Sequence, residues 1–172
     1  MTGVHRRAEF FDCRTMCQKN QNTHTYQTDN GEFASMSKKP NKSAQYKVAN
    51  EKFLEQKTLE EGVKALESGI LMKQLEKGSG DKFPQLSSIV FVNYTGRLID
   101  GTVFDTTDGQ PLPACFRVRD LIIGWQAALL KMHAGDKYEI FIPAKYGYGS
   151  MKLDGIPAWS TLCFELELVK IQ

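Results

Sequence analysis

The sequence predicts an α+β fold in which an antiparallel sheet curls over one short helix. Leu162, Phe164, Leu166 and Leu168 alternate with Cys163, Glu165 and Glu167, the pattern of a half-buried strand. Val90, Val92 and Tyr94 alternate with Phe91 and Asn93 in the same way, and Asp100-Gly101 then supplies a tight hairpin turn, since glycine tolerates a positive φ. Against these strands stands a single helical pattern, LIIGWQAALLKM at 121–132, with Trp125, Leu129 and Met132 at helical spacing. A sheet wrapped on that helix buries both apolar faces at once.

Taken in order, residues 1–43 are poor in aliphatic side chains and rich in Gln, Asn, Thr, Ser and Lys. Such a segment buries too little apolar area to offset its ordering entropy, so a disordered tail is expected. Four lysines and no acid lie between Lys38 and Lys47, a solvated linker rather than a binding patch. Met36 is an alternative start, with 1–35 as an upstream extension. A helix is expected over 44–62, capped by Ser43 and stopped at Gly62. Its apolar residues Tyr46, Phe53, Leu54 and Leu59 are too sparse for a long coiled coil, which favours a helix docked on the main domain over a dimer arm.

The block 63–172 reads as the main domain. Val63–Leu66 and Ile70–Leu75 flank Ser68-Gly69 as a hairpin. Strands follow at Val90–Leu98 and Cys115–Val118. Tyr138, Ile140 and Ile142 alternate until Pro143 ends that strand.

Bulk properties exclude several classes. With 172 residues, 41% of them hydrophobic, one ordinary core is accommodated but not two full domains. A net charge of +2 is too mild to argue for nucleic acid. No run approaches the ~20 apolar residues of a membrane span, and no apolar stretch follows Arg6 and Arg7 as a secretory signal would require. The expected setting is therefore cytoplasmic, without membrane or nucleic-acid partners. Cys115 and Cys163 sit in apolar strands and read as buried free thiols. Cys13 and Cys17, with His5 and His24 nearby, lack a zinc-site spacing, so no metal and no cofactor are expected. His133, in the turn Met132–Gly135, reads as a solvated loop residue. Nucleotide-loop, zinc-protease and nucleophile-elbow motifs are missing, and no histidine stands beside a convincing nucleophile, which argues against a covalent intermediate.

Four separated segments carry a resemblance: VNYTGRLIDGTVFDTT (92–107), LIIGWQAALLKMHAGDK (121–137), IPAKYGYGS (142–150) and IPAWSTLCFELELVKI (156–171). In this order they resemble the FKBP-type peptidyl-prolyl cis–trans isomerases over roughly Ser68–Gln172. The leader 49–70 is similar to the helix-to-strand entry of the Mip-like bacterial subgroup. The resemblance implies the FKBP fold, with five to six strands over the short helix. It also implies a rotamase that assists folding by stabilising a twisted X–Pro amide without covalent chemistry.

By that resemblance Trp125 floors a proline pocket whose aromatic walls are Tyr94, Phe104, Phe116 and Phe164. Leu121 and Ile122 line the rim, and the Ile122 N–H donates to the substrate carbonyl. Tyr148 offers its hydroxyl, Ile156 closes that side, and Asp105 bonds near the amide or holds Tyr94. Asp105, Tyr148, Tyr94, Trp125 and Phe164 are the expected catalytic set. Read without the resemblance, Trp125, Phe116 and Phe164 are simply core, Asp105 an Asx-turn residue before Thr106–Gly109, and Tyr148 a sheet-edge aromatic.

Departures from the family pattern bear on ligands. The loop from Asp105 to Phe116 is short and lacks an arginine often found there, Ala114 stands where an aromatic wall is usual, and the flap from Tyr148 to Pro157 is about one residue shorter. Trp159 sits where an aromatic or histidine usually follows Pro-Pro. The expected partners are proline-containing protein clients, with macrolide inhibitors bound only weakly. A holdase using the same cleft without catalysis, and a scaffold module assembling through its helix, are the competing readings.

Overall fold

The computed structural model describes residues 41–172. The expectations for the tail, for Cys13, Cys17, His5 and His24, and for Met36 lie outside the described residues. Helix α1 spans Lys42–Thr58 and is followed by β1 (Val63–Ala65), β2 (Leu71–Glu76), β3 (Ile89–Arg97), β4 (Val103–Thr106) and β5 (Ala114–Arg117). Helix α2 (Ile123–Leu129), β6 (Lys137–Ile142) and β7 (Leu162–Ile171) complete the order. The sheet has seven strands in the order β1-β2-β6-β7-β3-β4, with β5 also on β3, and every pairing is antiparallel. The number exceeds the expected five to six because the outer edge of β3 is shared. Its residues 89–92 pair with β5 and 95–97 with β4.

Alternation decides which face is buried. Val90, Val92, Ile140, Ile142, Leu162, Leu166 and Leu168 are fully buried and share one core with Trp125, Ala128 and Leu129 of α2 and with Met132 just beyond it. At the N-terminal approach to α2, Gln126 Nε2 donates to the Leu121 and Arg119 carbonyls, fixing the turn that enters the helix. Gly124 is required there, because a Cβ would come within 2.3 Å of Ile142. Helix packing this close to the sheet needs a residue without a side chain.

The other face of the sheet is covered locally by α1. Phe141 points away from the α2 core yet is only 1% exposed, because the Phe53 ring lies edge-on to it at 5.9 Å. The expected cap of α1 is displaced: Asn41, not Ser43, is the N-cap, and its side chain accepts from the Ser43 N–H at 3.2 Å. Leu59 is left exposed, and the docked stripe runs instead through Tyr46, Asn50, Phe53, Leu54 and Lys57. That spacing follows one helical face. Glu60 ties the end of α1 to β2 by accepting from Lys57 at 2.7 Å and Lys73 at 2.6 Å.

Candidate active site

The site begins with an irregularity in a strand pair. Gly96 of β3 faces Asp105, while its neighbour Arg97 faces Val103, so Phe104 is an extra residue in β4. In a regular strand Phe104 and Asp105 would point to opposite faces. The bulge re-aims one of them, and both side chains reach aromatic residues that surround Trp125. Phe104 stacks edge-on to Phe164 at 5.5 Å, while Asp105 Oδ2 accepts from the Tyr94 hydroxyl at 2.6 Å.

Gly96 makes this possible. It lies between Asp105 on one side and Phe164 on the other, and a Cβ there would be 2.7 Å from both the Phe104 and Phe164 rings. The motif in which Gly96 stands does not by itself single this residue out. Its signal was a glycine in mid-strand, which often marks close approach of neighbouring groups.

Trp125 sits at the centre, fully buried. Tyr94, Phe164 and Phe116 approach it edge-on at 5.0, 5.2 and 6.1 Å. Edge-to-face contacts of this kind place positive ring edges against the negative face of a neighbour. The Trp125 Nε1–H is buried with no partner among the described residues. An unpaired buried donor carries a desolvation cost.

Electrostatics keep the phenols protonated. Burial pushes the Tyr94 hydroxyl above its usual pKa, and the Asp105 carboxylate that it bonds adds to the effect. Tyr148 is raised for the same first reason, with the Asp105 charge second. Asp105 forms no Asx turn with the loop that follows: Thr106 Oγ1 accepts the Asp108 N–H at 3.0 Å instead. The Thr107 hydroxyl and N–H both bond the backbone of Tyr94, which ties the start of the β4–β5 loop to β3.

Leu121 and Ile156 are buried at 3% and 7% exposure, and Ile122 is half-buried. The Ile122 carbonyl accepts from Trp125 and Gln126, so this residue is the first fixed point of α2. Tyr148 lies in the flap between β6 and β7, whose chain folds back through reciprocal bonds between Leu153 and Ile156. The structure therefore gathers Tyr94, Phe104, Phe116, Leu121, Ile122, Trp125, Tyr148, Ile156 and Phe164 in or against one apolar cluster, with Asp105 bonded to it. Ala114 and Phe116 alternate with exposed Cys115 and Arg117, so both face that cluster.

Two expectations outside the cleft are corrected. Cys115 is exposed rather than buried, because β5 is an edge strand with one face in solvent. Cys163 is only half-buried, and burial pushes its thiol up to about 12. His133 is not a free loop side chain: its ring meets Phe83 at 3.9 Å, and Nδ1 lies 3.4 Å from Asp136 Oδ2. A polar hollow of about 260 Å³, lined by Asn93, Thr95, Lys137, Glu165 and Glu167, lies on the face of the sheet away from Trp125. Its lining is mostly polar, which suits hydrogen bonding better than a proline ring. Among the described residues no group of three His, Cys, Asp or Glu side chains could hold a metal, and no helix is long and apolar enough to cross a membrane.

Residues 80–169 match the family model described as FKBP-type peptidyl-prolyl cis-trans isomerase. The macrophage infectivity potentiator of Trypanosoma cruzi is 37% identical over 147 residues, covering 85% of this chain and 74% of that protein. An outer membrane protein MIP of Legionella longbeachae is 40% identical over 132 residues, covering 76% of this chain and 56% of that one. The crystal structure of FkpA from Escherichia coli superposes with a TM-score of 0.72 at 35% identity, over 76% of this chain and 61% of that chain. The chain thus spans between about half and three quarters of the length of these relatives.

Proposed function

The chain belongs to the FKBP-type peptidyl-prolyl cis–trans isomerases, within the Mip-like group, and on that footing we propose that its aromatic cleft accelerates rotation about X–Pro bonds in protein clients. The observation that carries this reading is the ring cluster on Trp125 with a tyrosine-bound carboxylate at its edge. Residues 63–172 form the catalytic unit in this reading, and α1 is a docked helix.

The reaction requires no nucleophile. Amide resonance sets a barrier of about 18–20 kcal/mol to rotation, and uncatalysed exchange takes tens to hundreds of seconds. A site that binds the twisted amide more tightly than either planar isomer lowers that barrier, about tenfold in rate for each ~1.4 kcal/mol of preference. The proline ring packs on Trp125 between Tyr94, Phe116 and Phe164, with Phe104 beside Phe164. In these apolar walls the charge-separated resonance form of the planar amide is disfavoured, while the twisted form loses less.

Polar groups at the rim select orientation. The Ile122 N–H donates to the carbonyl of the residue on one side of the bond, and Tyr148 donates from the flap. Both phenols remain protonated donors because their pKa values are raised. Asp105 accepts from the Tyr94 hydroxyl and holds that phenol at the edge of the cleft. Leu121 and Ile156 close the rim.

Clients are unfolded or folded proteins with accessible proline. Macrolides are weak ligands in this reading, since Ala114 leaves one wall without a ring. A reducing, cytoplasmic setting suits the free thiols of Cys115 and Cys163, whereas the Legionella relative is named an outer membrane protein. Thiol titration of the native full chain tests the setting, and stoichiometric disulfides there would contradict it. Catalysis is tested by following a proline-limited refolding reaction with the full chain. Acceleration at substoichiometric enzyme is expected. Retention of unfolded protein without acceleration would instead indicate a holdase.

A further inference from the structure

Helix α1 does more than cover Phe141. Its N-terminal half reaches the descending limb of the flap, the stretch that returns from Ile156 to β7. Asn50 is 2% exposed, and its Oδ1 accepts from the Thr161 N–H at 2.7 Å while Nδ2 donates to the Tyr46 carbonyl at 2.8 Å. Tyr46 in turn bonds Ser160 through its hydroxyl at 2.9 Å. Ser160 Oγ donates its only proton to the Pro157 carbonyl at 2.7 Å, so the Tyr46 hydroxyl is the donor in that pair. Lys47 Nζ stands 4.4 Å above the Trp159 ring.

The residue between these anchors and the flap tip is held in an uncommon conformation. Trp159 has φ of 67°, the single positive value of a non-glycine residue among those described. A bulky side chain persists there only where its surroundings over-determine it. Its N–H donates to the Gly149 carbonyl at 2.8 Å, next in sequence to Tyr148. Hydrogen bonds at Thr161, Ser160 and Trp159, joined by the consecutive backbone of these three residues, therefore link α1 to the turn that carries Tyr148.

We infer that Asn50 and Tyr46 are positioning residues for catalysis: they fix Ser160 and Thr161, and through Trp159 they hold the flap with Tyr148 and Ile156 over the cleft. Neither side chain touches the substrate. The inference rests on the isomerase reading for its activity readout, and α1 becomes part of the working enzyme rather than a leader to it. Phe53 docks the same helix on the sheet through Phe141. It provides an internal control.

The test compares full-length Asn50→Ala, Tyr46→Phe and Phe53→Ala with the unaltered chain, by isomerase assay on a proline tetrapeptide and by amide hydrogen exchange across 144–161. Asn50→Ala and Tyr46→Phe are expected to lower kcat/KM by about threefold to tenfold, the effect of one lost buried hydrogen bond on positioning, and to speed exchange in the flap. Phe53→Ala is expected to lower the unfolding midpoint while keeping kcat/KM within about twofold. Tyr46→Phe decides the matter alone if Asn50→Ala does not fold. Unchanged flap exchange, unchanged kcat/KM, or an equal loss in Phe53→Ala would each overturn the inference. An unaltered chain without isomerase activity would defeat the functional reading instead, and exchange would still report on the flap.

Discussion

The Tyr94 hydroxyl donates to Asp105 Oδ2 at 2.6 Å, although Asp105 pairs not with Tyr94 but with Gly96, two residues along β3. The contact is a diagonal cross-strand pair, opened by the absence of a side chain at Gly96 and aimed by the bulge at Phe104.

Removing that donor tests its role. Tyr94→Phe leaves the Asp105 carboxylate without its phenol, and a hydrogen bond to a charged group is worth about 1.5–3 kcal/mol. A loss of stability near the lower end and a fall in kcat/KM of about tenfold are expected. Because the folded-state pKa of Tyr94 is raised, burial first and Asp105 second, the native protein keeps a proton that the unfolded chain releases. That contribution to stability is fully present below the unfolded tyrosine value of about 10 and is lost as pH rises through the higher folded one. The rate should therefore show no tyrosine ionisation up to about pH 9.5. A decline in kcat/KM at lower pH, tracking tyrosinate absorbance, would contradict this.

Gly96→Ala should be among the most damaging small substitutions. Its Cβ would stand 2.7 Å from the Phe104 and Phe164 rings, and overpacking of this kind typically costs about 1–3 kcal/mol. Urea unfolding should show the loss, and the isomerase rate should fall because the rings that move line the cleft. Unchanged stability would mean that the rings relax freely.

Ala114→Phe addresses the missing wall. Ala114 shares the inward face of β5 with Phe116, which meets Trp125 at 6.1 Å. A ring restored there should add roughly 1.5–3 kcal/mol of apolar contact to a macrolide, about tenfold to a hundredfold in affinity. Peptide turnover, dependent on Trp125, Tyr94 and Phe164, should change less. Calorimetry with one macrolide checks this, and an unchanged affinity would contradict it.

Asp136 anchors the strap before β3. Its buried carboxylate accepts from the Gly78 and His133 amides, both at 2.7 Å. Burial alone would raise its pKa, but these backbone donors, with His133 itself, outweigh that and hold it below the ordinary value. A lowered folded pKa contributes stability that is present above the unfolded value near 3.9 and is lost as pH falls through the folded one. Asp136→Asn should therefore cost about 1–3 kcal/mol at neutral pH, and the gap should close below about pH 4. Urea midpoints across that range report it. A gap that widened in acid would contradict the assignment.

Much of this fold was legible because its strands alternate. Leu162–Leu168 and Val90–Tyr94 announce a half-buried sheet, and Trp125, Leu129 and Met132 announce the helix beneath it. The ring cluster followed from the resemblance rather than from periodicity, since a buried aromatic in a core and one in a cleft have the same pattern. What escaped was set by tertiary contact. Nothing in the pattern marks the bulge at Phe104, the burial of polar Asn50 or the left-handed Trp159, because each is set by a contact with another segment: Gly96 and Arg97 across the hairpin, Thr161 before β7, and Gly149 across the flap. Cys115 and His133 were misplaced for a related reason: an apolar run does not reveal an edge strand, and a turn does not reveal what packs on it.

The most direct measurement is exchange of a proline peptide between its cis and trans forms, followed by NMR with the full chain and with the Asp105→Ala/Tyr148→Phe double variant. The full chain should broaden and merge the two sets of resonances at catalytic concentration, also after treatment with a chelator. The double variant should keep the same fold and lose most of that effect, on the order of tenfold or more in rate. Undiminished exchange in the folded double variant would contradict the roles assigned to Asp105 and Tyr148, and no exchange with the full chain would contradict catalysis at this cleft.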